Sequence, residues 1–321
     1  MPNNFEAPVV AITGASGYIG SLLLDELQQV NPLGGIIGLD INPLRKPIHN
    51  IVSYRMDLSQ VIKNISHPGN ITSLVHLAFN MQEGRTSEES RIIHDNNIRS
   101  LQNILRFCKE HSIKNFIYLS SHTVYGALAN NPVPIGEDTE RRANPNFQYA
   151  QSKILAEKLL EQFAKQNEDT NVTILRCSMV IGPSGDSFTT ESFDKTILFR
   201  LLEYNPPLQF IHETDLAKVL GAVALNPKPG IYNVAGNHTI NYKLFLRLME
   251  KRALLIPTRI AYPLIQLMWK LGIQKGSSKS GLDLIRYPII LDTSKLRASF
   301  DIKMKYSSMD AVTAYVRSNL P

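Results

Sequence analysis

Tyr149 and Lys153 stand four residues apart in Tyr149-Ala150-Gln151-Ser152-Lys153, at the head of a segment rich in Leu, Ala and Glu that predicts a helix. Residues four apart share a helix face, so the spacing sets an ammonium beside a phenol and favours the phenol's ionised form. A tyrosine activated in this way can remove the proton of a secondary alcohol as hydride leaves its carbon, and return it in the reverse direction. A third group comes from upstream. An apolar strand predicted over 115–119 runs into Ser120-Ser121-His122-Thr123-Val124-Tyr125-Gly126, and Ser121 at that strand end can hold the same oxygen by a hydrogen bond. Ser121, Tyr149 and Lys153 are therefore the candidate catalytic set.

Hydride chemistry needs a carrier, and the N-terminal residues predict a cradle for one. The run Thr13-Gly14-Ala15-Ser16-Gly17-Tyr18-Ile19-Gly20 follows the apolar Pro8-Val9-Val10-Ala11-Ile12. It opens a segment with Ile19, Leu22, Leu23, Leu27 and Val30 in helical rhythm, which Asn31-Pro32 and Gly34-Gly35 then stop. Gly14 can turn the chain, Gly17 has no Cβ to block a pyrophosphate, and Gly20 lets the helix lie close on the sheet, while free N–H groups at the helix start face the phosphates. A second strand, Ile36-Ile37-Gly38-Leu39, ends in Asp40, twenty positions after Gly20, where a carboxylate accepts hydrogen bonds from both adenosine ribose hydroxyls. The same charge repels a 2′-phosphate and favours NAD over NADP, with Arg45 and Lys46 pulling the other way.

Strand-like and helical segments alternate to about residue 180, which implies parallel strands joined by right-handed crossovers. The expected fold is α/β, a Rossmann-type doubly wound parallel sheet with a smaller C-terminal substrate-binding lobe. Ser73-Leu74-Val75-His76-Leu77-Ala78 reads as its fourth strand, ending in a small residue that lets the chain pass close to the cofactor, with His76 a buried structural histidine. Residues 87–111 read as a long helix.

Composition sets the outer bounds: 321 residues, 43% hydrophobic, 19% charged and a net charge of +6, with no apolar run of the roughly 18 residues a membrane span requires. The first strand begins too close to Met1 for a cleavable leader, so a cytoplasmic protein is expected. Cys108 and Cys177 sit in apolar segments without metal-ligand spacing and read as reduced core thiols. Residues 251–321 hold twelve Lys or Arg against four Asp, whereas residues 1–250 hold 22 basic against 24 acidic residues. Such a surplus suits an anionic substrate, an acidic membrane surface or an ordinary solvated face. No zinc-finger spacing or RNA-binding motif accompanies it, which argues against nucleic acid.

Together with Asp57-Leu58, His76-Leu77-Ala78, Asp95-Asn96-Asn97, Arg176 and Gly182-Pro183, these motifs resemble the extended short-chain dehydrogenases/reductases, specifically the NAD-dependent epimerase/dehydratase family. Phe210-Ile211-His212-Glu213-Thr214-Asp215-Leu216-Ala217, Ile231-Tyr232-Asn233-Val234 and Asp292-Thr293-Ser294-Lys295 extend the likeness over nearly the whole chain, most of all to bacterial proteins similar to UDP-glucose 4-epimerase. The resemblance implies that Gly14, Gly17, Tyr18, Ile19 and Gly20 bind pyrophosphate, Asp40 binds ribose, and Asp57 with Leu58 borders adenine. It further implies that Leu77, Ala78 and Asn97 line the cofactor, that Tyr149 and Lys153 reach it, and that residues near 87–111 and 147–167 pair two copies into a homodimer. Residues 1–180, with part of 205–235, would form the NAD-binding domain, and 181–321 mainly the substrate lobe.

Two departures bear on substrate. The family commonly carries a glycine-rich run and an arginine before the segment matching Phe210-Ile211-His212, and that arginine pairs with a substrate diphosphate; Pro206-Pro207-Leu208-Gln209 stands here instead. Arg286 is an approximate stand-in for a second arginine. Thr123, Lys195, Arg200 and Arg286 are thus the candidate substrate contacts. Residues 182–195 read as a loop able to cover the substrate, 253–273 as an apolar helix pair broken by proline that is lobe core, a pocket lining or a membrane contact, and 275–281 as a linker. Three activities fit: a nucleotide-sugar epimerase or dehydratase that retains NAD, a dehydrogenase or reductase of a non-nucleotide hydroxy or keto substrate that exchanges it, and a redox-sensing binding protein.

Overall fold

The computed structural model describes residues 7–29, 34–62, 65, 70–81, 87–145, 147–185, 197–270 and 280–319. From the N-terminus the chain runs β1 (Val9–Thr13), α1 (Tyr18–Leu27), β2 (Gly35–Asp40), β3 (Ile51–Arg55), β4 (Ile71–His76), α2 (Ser87–Glu110), β5 (Asn115–Ser121), α3 (Gln148–Gln166) and β6 (Asn171–Cys177). It continues through β7 (Met179–Ile181), β8 (Ile197–Leu201), β9 (Pro207–Leu208), β10 (Phe210–His212), α4 (Glu213–Leu225), β11 (Gly230–Val234) and β12 (Ile240–Asn241). The last elements are α5 (Tyr242–Leu248), β13 (Arg252–Ile256), α6 (Thr258–Lys270), α7 (Ser280–Leu284), α8 (Ser294–Phe300) and α9 (Ser308–Asn319).

Seven strands form one sheet in the order β11-β6-β5-β4-β1-β2-β3, every neighbouring pair parallel. Parallel strands must be covered on both faces, and all five residues of β1 are buried. On one face Leu23, Leu24 and Leu27 of α1 pack with Leu216, Val219, Leu220 and Val223 of α4; on the other, Leu101, Ile104, Leu105 and Cys108 of α2 pack with Ala156 and Leu160 of α3. Each such Leu contributes about 1.5–3 kcal/mol by burial. Strand order reverses between β1 and β4, so the two half-sheets part there and leave a crevice beyond their carboxyl ends. The expected doubly wound fold is the one the chain adopts.

The C-terminal elements pair separately: β7 with β10 and β8 with β13 in parallel, β9 with β12 antiparallel. Leu201 and Ile256 at the ends of β8 and β13 pack on Ala261 and Ile265 of α6 and Leu282 of α7. This corrects the expected helix pair over 253–273. Arg252–Ile256 is a strand hydrogen-bonded to β8, and Pro263 lies inside the single helix α6. Ala253-Leu254-Leu255-Ile256 is uniformly apolar and has no polar residue to mark its period, so only the partner strand decides its state. The expected linker lies outside the described residues except Ser280 and Gly281, which open α7. The expected covering loop lies outside them from Asp186 onward, Lys195 included.

Candidate active site

The glycines of the β1–α1 turn are set by contact. Gly14 has φ +71°, and a Cβ there would stand 2.8 Å from the Ala78 nitrogen; a Cβ on Gly20 would stand 2.0 Å from the Gly14 oxygen, and one on Gly17 3.1 Å from it. Helix α1 begins at Tyr18 behind the N-cap Gly17, which supplies no side-chain cap, so its first-turn N–H groups suit an anion. Asp40, ending β2, accepts Ser16 N–H through Oδ2 and Asn42 N–H through Oδ1, each at 2.9 Å. A carboxylate has about four lone-pair sites, so capacity remains for two ribose hydroxyls. Arg45 Nε donates to the Ser16 carbonyl at 2.8 Å, and Lys46 is paired with Asp25 at 2.7 Å. The turn thus fits a dinucleotide on its own geometry.

The end of β4 is fastened to this turn. Leu77 and Ala78 N–H groups donate to Thr13 Oγ1 at 3.2 Å, and the Thr13 hydroxyl lies 2.8 Å from His76 Nδ1. An oxygen already accepting two N–H groups gives its own proton to the imidazole, which leaves His76 neutral with its proton on Nε2. Burial agrees, pushing the His76 pKa down to about 3. Asn97 on α2 clamps the continuation of this segment, accepting Asn80 N–H at 2.8 Å and donating to its carbonyl at 2.9 Å. Asp57 accepts Ser59 N–H at 2.9 Å, and Leu58 beside it is buried.

Beyond β5, Ser121 Oγ accepts hydrogen bonds from Thr123 N–H at 3.2 Å and Thr123 Oγ1 at 3.0 Å. The same hydroxyl favours the ionised form of the Tyr149 phenol. Burial pushes Tyr149 up to about 12, and the bond from Ser121 pulls it back down. Lys153, one turn along α3, is 5% exposed; its Nζ donates to the Leu119 carbonyl at 2.8 Å and lies 4.0 Å from the Phe79 ring centre, 4.7 Å from Tyr118 and 5.8 Å from Tyr149. Burial lowers its pKa to about 7, opposed by the Glu157 carboxylate. The spacing argument expected the ammonium to hold the phenol ionised. In the folded chain desolvation acts more strongly on both groups, with Lys153 buried and Tyr149 half-buried on the same face of α3.

Glu157, the next turn of α3, is fully buried and saturated. It accepts Ser120 Oγ at 2.5 Å, Arg176 at 2.7 Å and Arg141 at 3.2 Å. Arg176 in turn donates to Tyr125 OH and the Glu137 carbonyl at 2.9 Å, and Tyr125 OH to Asn233 at 2.8 Å. This network ties the β5 end, α3, β6 and β11 together behind the catalytic face.

The substrate candidates Thr123, Arg200 and Arg286 belong to different segments of the chain, and Lys195 lies outside the described residues. Thr123 is buried against Ser121. Arg286 is enclosed by tyrosines: its guanidinium lies 4.9, 5.6 and 4.7 Å from the rings of Tyr204, Tyr262 and Tyr287, and NH2 donates to Tyr204 OH at 3.0 Å. The Nε atoms of Arg286 and of Arg200 on β8 are buried without a hydrogen-bond partner among the described residues. Tyr18 directs its hydroxyl to Glu213 at 2.5 Å, and Glu213 also accepts Ser184 N–H at 3.1 Å and Ser184 Oγ at 2.8 Å. Three residues here escaped sequence reasoning. Glu157 repeats the four-residue spacing that selected Lys153 and could have been found by it; Glu213 stands inside the 210–217 signature but was given no role there, and Phe79 carries no signal in type or spacing.

Comparison with known proteins meets this geometry from outside. An uncharacterized protein of Mycobacterium tuberculosis is 22% identical over 321 residues, covering 96% of this chain and 83% of its own. UDP-glucose 4-epimerase of Dictyostelium discoideum is 27% identical over 243 residues, 65% of this chain and 69% of that one. UDP-glucose 4-epimerase of Thermotoga maritima, solved with UDP-glucose, superposes with a TM-score of 0.73 at 18% identity over 97% of this chain and 98% of that one, a likeness of fold. The family model reaches further, because its match over residues 10–235 takes in the glycine turn, the end of β4 and the Ser121, Tyr149 and Lys153 face: the chain belongs to the NAD dependent epimerase/dehydratase family.

Proposed function

We propose that this protein is an NAD-retaining epimerase or dehydratase that works by reversible hydride transfer at a secondary alcohol of a nucleotide sugar. The observation that carries the reading is the grouping at the carboxyl edge of the sheet: Ser121, whose hydroxyl favours the ionised Tyr149 phenol, and the buried Lys153, with Nζ 5.8 Å from the Tyr149 ring centre. Backbone of Gly14, Gly17, Tyr18, Ile19 and Gly20 would hold the pyrophosphate and Asp40 the ribose, with Asp57 and Leu58 at the adenine and Leu77, Ala78 and Asn97 along the wall. When bound, NAD supplies an acceptor and donor of hydride. With its pKa raised to about 12, Tyr149 keeps its proton at neutral pH and is ready to give it to a carbonyl oxygen. To act as base it must hold a phenolate, which the Ser121 hydrogen bond and a protonated Lys153 both favour.

In this reading residues 1–180 and part of 205–235 form the cofactor unit, 181–321 mainly the substrate lobe, and the enzyme works in the cytoplasm, where Cys108 and Cys177 stay reduced. Helices α2 and α3, which leave Ile92 50% and Leu155 38% exposed, would pair two copies. Thr123, Lys195, Arg200 and Arg286 remain the candidate substrate contacts.

One observation favours a second reading, a dehydrogenase or reductase of a non-nucleotide hydroxy or keto compound. Pro207 and Leu208 form β9, and the buried Gln209 spends its amide on Leu291 N–H at 2.8 Å and the Gly236 carbonyl at 3.4 Å, so the segment 206–209 itself offers no cation to a diphosphate, while Arg286 is engaged by tyrosines. The test is to purify the chain without added nucleotide, denature it and quantify what it releases, then to follow UDP-glucose and UDP-galactose by NMR. Near-stoichiometric NAD with sugar turnover supports the first reading. An empty protein that oxidises alcohols only with added NAD replaces it by the second.

A further inference from the structure

The C-terminal lobe turns an apolar helix face to solvent. In α6, Ile260, Pro263, Leu264 and Leu267 recur at helical spacing and are all exposed, Ile260 by 56%, Leu264 by 37% and Leu267 by 55%. A surface helix ordinarily sends such a stripe inward, but α6 already buries a different pair, Ala261 and Ile265, against Leu201 and Ile256. Leu254 on β13 is 50% exposed and Leu202 at the end of β8 53%. Leu202 N–H donates to the Ile256 carbonyl at 3.1 Å, and Thr258 N–H donates to the Glu203 carboxylate at 3.0 Å, which seats these strand ends at the start of α6. Exposed aliphatic side chains grouped in this way mark a docking surface.

Charge selects the occupant. From Lys251 to Leu282 the sequence carries six Lys or Arg and no Asp or Glu before Asp283, and among the described side chains of this stretch Arg252 and Arg259 are exposed. Lys243 and Arg247 of α5 are exposed too, and Asn205 accepts Lys243 N–H at 2.8 Å, which brings α5 beside the same turn. The acids nearby are Glu250, Glu203, which accepts Thr258 N–H and also faces Arg259, and Asp283, which is occupied by the Tyr262 hydroxyl. A second copy would set one basic rim against another. Protein partners ordinarily meet aromatic and polar anchors at an interface core, whereas this stripe is purely aliphatic and has no directional group. An anionic bilayer offers what both parts require, an apolar boundary and negative headgroups.

We propose that the chain docks peripherally on anionic membrane through the outer face of α6 and β13, with Leu254, Ile260, Leu264 and Leu267 in the acyl boundary and Arg252 and Arg259 among the headgroup phosphates. No helix among the described residues is long and apolar enough to cross a membrane, so the contact lies in the interface plane. The inference is independent of the substrate assigned above.

Cosedimentation of the full chain with vesicles tests it. Vesicles of phosphatidylcholine containing phosphatidylglycerol should bind the protein at least about 10-fold more tightly than phosphatidylcholine alone, and high salt should weaken that binding. Leu264→Glu with Leu267→Glu should lower it by about 10-fold or more at an unchanged Tm, since both side chains are exposed; Arg252→Glu with Arg259→Glu should remove the salt-sensitive part. A wild-type chain left in the supernatant overturns the proposal, as does binding that the leucine variant leaves untouched. A concentration-dependent dimer dispersed by the leucine variant, without vesicle binding, would assign the face to a second copy and overturn it equally.

Discussion

Replacing Lys153 by Met removes a buried ammonium and keeps a side chain of similar reach, so it separates what the charge does for stability from what it does for chemistry. The amine is 5% exposed, and burial moves its pKa from 10.5 to about 7. At about 1.4 kcal/mol per pH unit, that displacement is worth at most about 5 kcal/mol against the folded state. Below pH 7 the amine is charged in folded and unfolded chains alike and the full penalty applies. Between pH 7 and 10.5 the unfolded chain binds more protons than the folded one, so stability rises with pH. Two losses oppose the gain from Met: the hydrogen bond to the Leu119 carbonyl, about 1 kcal/mol, and the cation–π contact with Phe79, about 1 kcal/mol. Lys153→Met should therefore be about 1–4 kcal/mol more stable than wild type at pH 6, with the advantage shrinking toward pH 9, while turnover falls by at least about 100-fold. Urea unfolding at pH 6, 7, 8 and 9 measures this directly. A variant less stable than wild type at pH 6, or an advantage that does not change with pH, would refute the desolvation argument.

Tyr149→Phe should leave folding and NAD content intact and lower turnover by about 10²–10⁴-fold; unchanged turnover in a stopped assay would remove the phenol from the chemistry. Glu157→Ala strands the buried Arg176 guanidinium and should destabilise the chain by about 3–5 kcal/mol, and a urea midpoint close to wild type would show that Arg176 finds another partner. Asp40→Ala takes away acceptors worth about 1.5–3 kcal/mol for charged hydrogen bonds and should weaken NAD more than NADP in calorimetry; equal weakening would deny Asp40 any reading of the ribose. Gly20→Ala puts a methyl 2.0 Å from the Gly14 carbonyl, so the purified variant should carry no nucleotide, and full retention would mean that the turn yields without loss.

The glycine turn was legible in the sequence because its requirement is negative: Gly14 and Gly20 face backbone at a distance no Cβ tolerates and Gly17 at one that is tight, and a missing side chain is visible without knowing the fold. The four-residue spacing of Tyr149 and Lys153 was legible for a similar reason, since a helix fixes which residues share a face. Sequence spacing could not reveal what else would meet that face. Lys153 finds the Leu119 carbonyl and the Phe79 ring, and Glu157 finds Arg176, from strands whose order is decided by the whole sheet. Those long-range partners reverse the local inference about charge, because they come with the exclusion of water that raises Tyr149 and lowers Lys153. The strand at Arg252–Ile256 was hidden in the same way, its apolar run taking its state from β8. Local periodicity therefore specifies the elements and the reactive groups, while the electrostatics of those groups are settled by the packing that makes them dry. A buried amine poised near neutrality is unfavourable for folding and useful beside a phenol that must alternate between acid and base, so a group that costs folding stability on this face is one on which the proposed chemistry depends.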